Sequence, residues 1–149
     1  MTQKARMKTT TLRDAADRKD LLIGAAVGPD KLDGEPEYAT TLAREFNCLV
    51  AENAMKFKYL QPQPGRFHFD DADKLAAFAR RHNMRLRGHT LVWHTQVADW
   101  VRDGNYTKSQ ALDVLRQHIF SVMEHFRNDV FAWDVVNEGL ADDGTWRQN

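Results

Sequence analysis

The chain has 149 residues, which is enough to bury one hydrophobic core of ordinary size. Its 21 lysines and arginines balance 21 aspartates and glutamates. The sequence therefore has neither the basic footprint of a nucleic-acid-binding protein nor a basic amphipathic anchor for a membrane. Polar residues interrupt every apolar run well before the roughly 18 residues that a membrane-spanning helix needs.

The N-terminus and the cysteine content say little about the compartment. Met1 to Arg13 is polar and basic and lacks an apolar h-region, so it is not an intact secretory signal peptide. This leaves open whether the protein stays inside the cell or whether a signal has been removed. Cys48 is the single cysteine, and its place at the start of an apolar strand predicts a buried small hydrophobe rather than a reactive thiol.

Strands and helices are predicted to alternate along the chain, because short apolar runs alternate with segments of helical periodicity. The predicted elements are a helix from Thr11 to about Lys19, strand one from Leu21 to Val27, a helix from Pro36, strand two from Cys48 to Ala51, a helix from Asp70 or Asp71 to Asn83, strand three from Met84 to Gly88, a long helix after Thr107, and strand four from Phe131 to Val136. His89 to His94 would continue beyond the tip of strand three.

Caps and apolar stripes support the helices. Thr11 with Asp14, and Thr107 with Gln110, have the spacing of a capping box, and Pro36 suits a first helical position. Asp70 or Asp71 is predicted to be the N-cap of the helix that runs to Asn83. The stripes predicted to face the core are Tyr38, Leu42 and Phe46, then Leu75, Phe78 and Ala79, and finally Leu112, Leu115, Ile119, Met123 and Phe126.

This alternation predicts an α/β fold with parallel strands joined by right-handed crossovers. An open doubly wound sheet and a barrel both fit the pattern. The first strand–helix junction, Gly24 to Gly34, has no G-x-G-x-x-G spacing, so a dinucleotide site is not supported.

The stretch from Phe131 to Glu138 is the most informative part of the sequence. It stays mostly apolar until its tip and then presents Asn137 and Glu138, after which Gly139 lets the backbone turn away. Parallel α/β sheets and barrels build their active sites at the carboxyl ends of strands. An isolated Asn-Glu pair is more often a polar turn, but two other strand tips carry similar clusters.

The three tip sequences resemble the N-terminal half of glycoside hydrolase family 10, the (β/α)8-barrel endo-1,4-β-xylanases. They are Glu52-Asn53-Ala54-Met55-Lys56, Gly88-His89-Thr90-Leu91-Val92-Trp93-His94-Thr95-Gln96 and Trp133-Asp134-Val135-Val136-Asn137-Glu138. The resemblance runs from about Leu21 to Trp146. It implies a TIM-barrel type of fold of which residues 1–149 would hold only the first four βα units, a half-barrel.

The resemblance also implies roles for individual residues. Glu138 matches the general acid/base, with Glu52 as an alternative acid, and Asn137 matches the amide that bonds the sugar in the subsite being cleaved. Phe57 stands where the family often has Trp, and Thr95 stands where Ser is frequent. The residues that match substrate contacts are Glu52, Asn53 and Lys56 for sugars on the non-reducing side, His89 and Trp93 for the wall of the same subsites, and Gln96 for a further sugar contact.

The implied activity is hydrolysis of internal β-1,4-xylosidic bonds in xylan or xylo-oligosaccharides by retaining double displacement, without a cofactor. Such chemistry protonates a poor leaving group and stabilises a cationic sugar, and Trp93 offers a flat apolar face for a sugar ring. A metal is not expected, because the spacing of His89 and His94 matches no common ligand pattern. By resemblance the protein would be secreted.

Retaining hydrolysis also needs a second carboxylate roughly 5 to 5.5 Å from the first. In the family it lies in a Thr-Glu-Leu-Asp-like motif, which does not occur in this sequence, and a complete barrel needs about 250 residues. We therefore expect the chain alone to be poorly active and, with open sheet edges, prone to self-association unless a complementary C-terminal half is supplied. The alternatives are a non-catalytic fragment that binds a β-linked glycan and a barrel glycosidase with another β-linked substrate.

Several other residues allow two interpretations. Asp134 lies on the same side as Glu138 by strand alternation, so it either orients that acid or fills the barrel floor. Core packing is expected for Trp100 and Trp146 ahead of sugar stacking. His118 is expected at the surface or in packing.

Overall fold

Four parallel strands in one sheet organise the chain, whose computed structural model describes residues 10–147. The elements are α1 (Leu12–Asp17), β1 (Gly24–Val27), α2 (Pro29–Gly34), α3 (Pro36–Glu45), β2 (Cys48–Ala51), α4 (Phe57–Leu60), α5 (Asp70–Arg81), β3 (Arg85–Trp93), α6 (Asp99–Arg102), α7 (Lys108–His125) and β4 (Val130–Asn137). Most of the N-terminal stretch judged not to be a signal peptide lies outside the described residues. Within the described range, no helix combines the length and apolarity that a bilayer crossing requires.

The order of the strands separates the two predicted architectures. Each strand hydrogen-bonds to the next in the order β1-β2-β3-β4, and all three pairings are parallel. A doubly wound sheet reverses its strand order at a switch point, whereas sequential addition is the pattern of a barrel wall. The sheet therefore has the order of a barrel segment.

The core lies between the sheet and its helices. In β3, buried Leu86 and Gly88 alternate with Arg85 and Arg87, which are exposed on the opposite face. Cys48 is buried as predicted, and burial raises the pKa of its thiol. The other core residues include Leu42, Leu49, Leu75, Phe78, Ala79, Leu91, Val122 and Phe126.

Strand pairing moves two of the predicted boundaries. β1 begins at Gly24 rather than Leu21, because its ladder with β2 starts at the Gly24–Cys48 pair. β3 does not end at Gly88 but continues to Trp93, because β4 stays paired with it to its last residue. His89 and the residues after it are therefore part of the strand rather than a loop beyond it.

The predicted caps are confirmed at two helices and wrong at a third. Thr11 and Thr107 each form a capping box. At α5 the N-cap is Phe69, without a side-chain cap bond, and Asp70 and Asp71 lie inside the first turn. Carboxylates there are still favoured by the helix dipole. The short helices α2, α4 and α6 were not predicted.

The stripe predicted for α7 is wrong at two positions. Leu112 and Met123 are exposed, whereas His118 and Val122 are fully buried. The buried face includes a polar contact that periodicity does not show, in which His118 Nδ1 lies 2.9 Å from Gln61 Oε1. The His118 ring also stacks on Phe57 with the ring centroids 3.6 Å apart.

Gly88→Ala should destabilise the chain, because a Cβ at this position would overlap the ring of Trp133. We expect a loss of about 1 to 3 kcal/mol, the usual cost of overpacking a core, measured by urea unfolding. Gly34→Ala is the matched control, since a Cβ there meets no atom within 4 Å. Equal stability of the two variants would contradict this packing constraint.

His118 should make stability depend on pH. Burial lowers the pKa of His118 from 6.5 to about 4. Between these pH values the imidazole is protonated in the unfolded chain but neutral in the folded chain. Stability should fall as the pH drops from about 6.5 towards 4, by up to about 3 kcal/mol. His118→Gln should lack this pH-dependent component. The measurement is the free energy of unfolding against pH for the original chain and for the variant, and the difference between them gives the contribution of His118. Parallel pH dependence in both proteins would contradict the prediction.

Candidate active site

The carboxyl ends of β3 and β4 bring three predicted site residues together. The register pairs Trp93 with Asn137, so the following residue, Glu138, comes beside the indole. Trp93 Nε1 donates a hydrogen bond to Glu138 Oε2 at 2.8 Å, and His94 Nε2 lies 4.0 Å from the same oxygen. A carboxyl group is thus held at the tip of the sheet, where it can exchange a proton with a bound ligand.

The backbone of Glu138 is in an uncommon conformation. Its φ is 53°, in the left-handed region that costs a residue with a Cβ roughly 1 to 2 kcal/mol. Such outliers cluster at functional sites. The turn ends the strand alternation, and the carboxyl group lies against Trp93. The Glu138 side chain is 50% exposed.

The tip of β2 contributes a second linked group. Lys56 Nζ donates to Asn53 Oδ1 at 2.9 Å and lies 4.8 Å from the centroid of the Trp93 ring, a cation–π distance. Lys56 is buried, and burial lowers the pKa of its ammonium group, against the opposing effect of Glu52. Glu52 itself is exposed. The structure therefore joins Asn53, Lys56, Trp93 and Glu138 across three strand tips.

The Asp134 side chain contacts residues of β3 rather than Glu138. Its carboxylate accepts hydrogen bonds from Arg87 and lies 3.0 Å from His89 Nδ1. The Arg87 hydrogen bond is the main reason why the pKa of Asp134 is lowered. Thr90 Oγ1 donates to the Asp134 carbonyl at 2.8 Å, and the His89–Thr90 peptide is cis. The Asp134 carboxylate thus orients the His89 ring. The predicted contact of His89 with substrate stays a prediction.

Gln96 and Asn137 complete the predicted set. Gln96 Oε1 is buried without a hydrogen-bond partner among the described residues, and the Gln96 carbonyl accepts from the backbone N–H of Lys58 at 3.0 Å. Asn137 lies in a groove of about 690 Å³ beside Glu138. The groove is lined by Val92, His94, Val97, Arg102, Val136, Asn137, Glu138, Gly139, Trp146 and Arg147. Residues 10–147 contain no group of three metal-ligating side chains that could hold an ion.

The segment after Glu138 differs from the prediction. Trp146 was expected in the core but is 75% exposed beside the groove. Trp100 does pack inward, where its Nε1 donates to the Gln61 carbonyl at 3.0 Å. Arg147 was not singled out, although its guanidinium contacts the backbone of Glu138. The Asp-Gly turn signal at residues 143 and 144 could have indicated a hairpin there.

Comparisons with known proteins identify the family. The sequence profile of "Glycosyl hydrolase family 10" matches residues 11–149. Endo-1,4-beta-xylanase A of Thermoanaerobacterium saccharolyticum is 46% identical over 139 residues, which cover 85% of this chain and 12% of that protein. Exoglucanase XynX of Acetivibrio thermocellus is 45% identical, over 85% of this chain and 13% of that protein.

A solved structure has a similar fold. Xylanase 10B from Thermotoga petrophila RKU-1, in complex with xylobiose, superposes with a TM-score of 0.90 at 38% identity and covers 97% of this chain and 45% of that one. The chain thus spans less than half the length of these relatives. Family 10 proteins are (β/α)8 barrels, and the four parallel strands are consistent with a partial barrel, which confirms the predicted fold class. The chain belongs to glycosyl hydrolase family 10.

Proposed function

We propose that this chain carries the acid/base part of an endo-1,4-β-xylanase site and that Glu138 is the acid/base. The observation that carries the proposal is the Glu138 carboxyl group at the tip of β4, hydrogen-bonded by Trp93 and next to Asn137. Glycoside hydrolysis needs a carboxyl group that first protonates the leaving oxygen and then deprotonates the attacking water. A half-exposed carboxyl at a groove is accessible for both steps.

The neighbouring residues fit sugar recognition. Trp93 offers a ring face and Lys56 a buried ammonium group, while Asn53 and Asn137 offer amides that bond hydroxyls without competing in the reaction. The retaining mechanism adds a nucleophilic carboxylate roughly 5 to 5.5 Å from the acid/base.

A second candidate is the same chemistry, or binding alone, on another β-linked glycan. One relative, 45% identical over 85% of this chain, is named Exoglucanase XynX, so a glucan is considered beside xylan as the substrate. Xylose differs from glucose by lacking the exocyclic hydroxymethyl group. A comparison of xylan-derived and cellulose-derived oligosaccharides therefore separates the two candidates.

Glu138→Gln should impair acid catalysis selectively. In a protein that carries this chain and hydrolyses xylan, we expect turnover of xylo-oligosaccharides to fall by about 10²- to 10⁴-fold, the usual contribution of a positioned acid. The first step on a dinitrophenyl xylobioside should fall much less, because that leaving group needs no proton. Asp142→Asn, a neighbouring exposed carboxylate, is the control. Equal losses on both substrates would contradict the acid role.

Lys56→Met should weaken binding of xylohexaose to the chain by about 10- to 100-fold, as expected for the loss of a charged hydrogen bond. Isothermal titration measures this effect, with Lys58→Met as the control because Lys58 Nζ lies over Tyr59 instead. Unchanged affinity in Lys56→Met would remove Lys56 from the proposed site. Tighter binding of cellohexaose than of xylohexaose would favour the second candidate.

A further inference from the structure

The residues after Glu138 form a small hairpin that returns to it. Leu140 and Trp146 pair in an antiparallel bridge, and the Ala141 N–H donates to the Thr145 carbonyl at 2.8 Å. The turn contains Gly144, with a φ of 81°, and Thr145 donates to the Asp143 carboxylate from both its N–H and its hydroxyl group. The hairpin therefore brings the next residue, Arg147, back to the start of the segment.

Arg147 closes the hairpin on the backbone of the acid. Its Nε donates to the Glu138 carbonyl at 3.1 Å, its Nη2 donates to the Leu140 carbonyl at 3.3 Å, and its backbone N–H donates to the Gly139 carbonyl at 3.0 Å. Three successive carbonyl groups are thus held by one residue. The first of these carbonyl groups belongs to Glu138, whose φ of 53° differs from the extended conformation of β4.

A left-handed conformation at a residue with a Cβ persists only when its surroundings determine it. On one side of Glu138, β4 is fixed by its ladder with β3. On the other side, the contacts of Arg147 fix the carbonyl groups that leave the turn. In this backbone conformation the Glu138 side chain reaches the indole, and Trp93 Nε1 donates to Glu138 Oε2 at 2.8 Å.

We propose that Arg147 is a positioning residue for the acid/base. Its guanidinium fixes the Glu138 backbone, and through it the carboxyl group against Trp93. The inference rests on the proposed function, because it assigns Arg147 a role through Glu138. A rigid fork with several donors suits this task better than a single ammonium group, since it bonds two carbonyl groups at once.

The first test follows the indole N–H of Trp93 by NMR in the chain itself, with the signal assigned by its loss in Trp93→Phe. Glu138→Gln defines the shift that accompanies loss of the charged acceptor. We expect Arg147→Met to move the signal in the same direction, Arg147→Lys to move it less, and Arg116→Met to leave it in place, since Arg116 pairs with Asp113 on α7. An unmoved signal in Arg147→Met would overturn the proposal.

The second test separates positioning from general destabilisation. In a protein that carries this chain and hydrolyses xylan, Arg147→Met should lower kcat on xylo-oligosaccharides by about ten- to a hundredfold, the range for a misplaced catalytic group. KM and the first step on a dinitrophenyl xylobioside should change little. Equal losses on both substrates would overturn the positioning role. If Glu138→Gln itself shows no leaving-group dependence, the proposed function fails instead.

Discussion

The pairing of β3 with β4 is the constraint on which the candidate site depends. It keeps the two strands together to their last residues, so that Trp93 lies opposite Asn137 and next to the carboxyl group of Glu138. The pairing is close because Gly88 leaves room for the ring of Trp133. A side chain at that glycine would push apart the two strands whose tips carry the proposed acid and the indole that bonds it.

Side-chain contacts outside the strand tips also connect the elements that carry the candidate site. The Asp134 carboxylate accepts a hydrogen bond from Arg87 and lies 3.0 Å from His89 Nδ1, which holds the imidazole ring of β3 against β4. On the other side, Phe57 follows Lys56 and stacks on buried His118. The position of the Lys56 ammonium group is thus connected to the packing of α7. At residue 57, where the family often has Trp, the smaller ring of Phe57 stacks on His118.

The strain at Glu138 is balanced locally. A left-handed backbone costs roughly 1 to 2 kcal/mol, and hydrogen bonds contribute about 0.5 to 1.5 kcal/mol each. The Trp93 bond to the Glu138 carboxylate and the Arg147 bond to its carbonyl are together of comparable size. These two hydrogen bonds therefore offset the cost of holding Glu138 in its left-handed conformation.

The sequence by itself determined the order of the four strands and of α1, α3, α5 and α7, the two capping boxes and the identity of the polar tips. It could do so because apolar periodicity and capping chemistry act over a few residues. It also placed Glu138 and Trp93 in one predicted site. The tertiary structure alone decided where β3 ends, which face of α7 is buried, that Asp134 serves the floor, and that Arg147 reaches Glu138. Each of these depends on a partner distant in the chain or on a side-chain contact that has no periodic signature, so no local pattern could specify it.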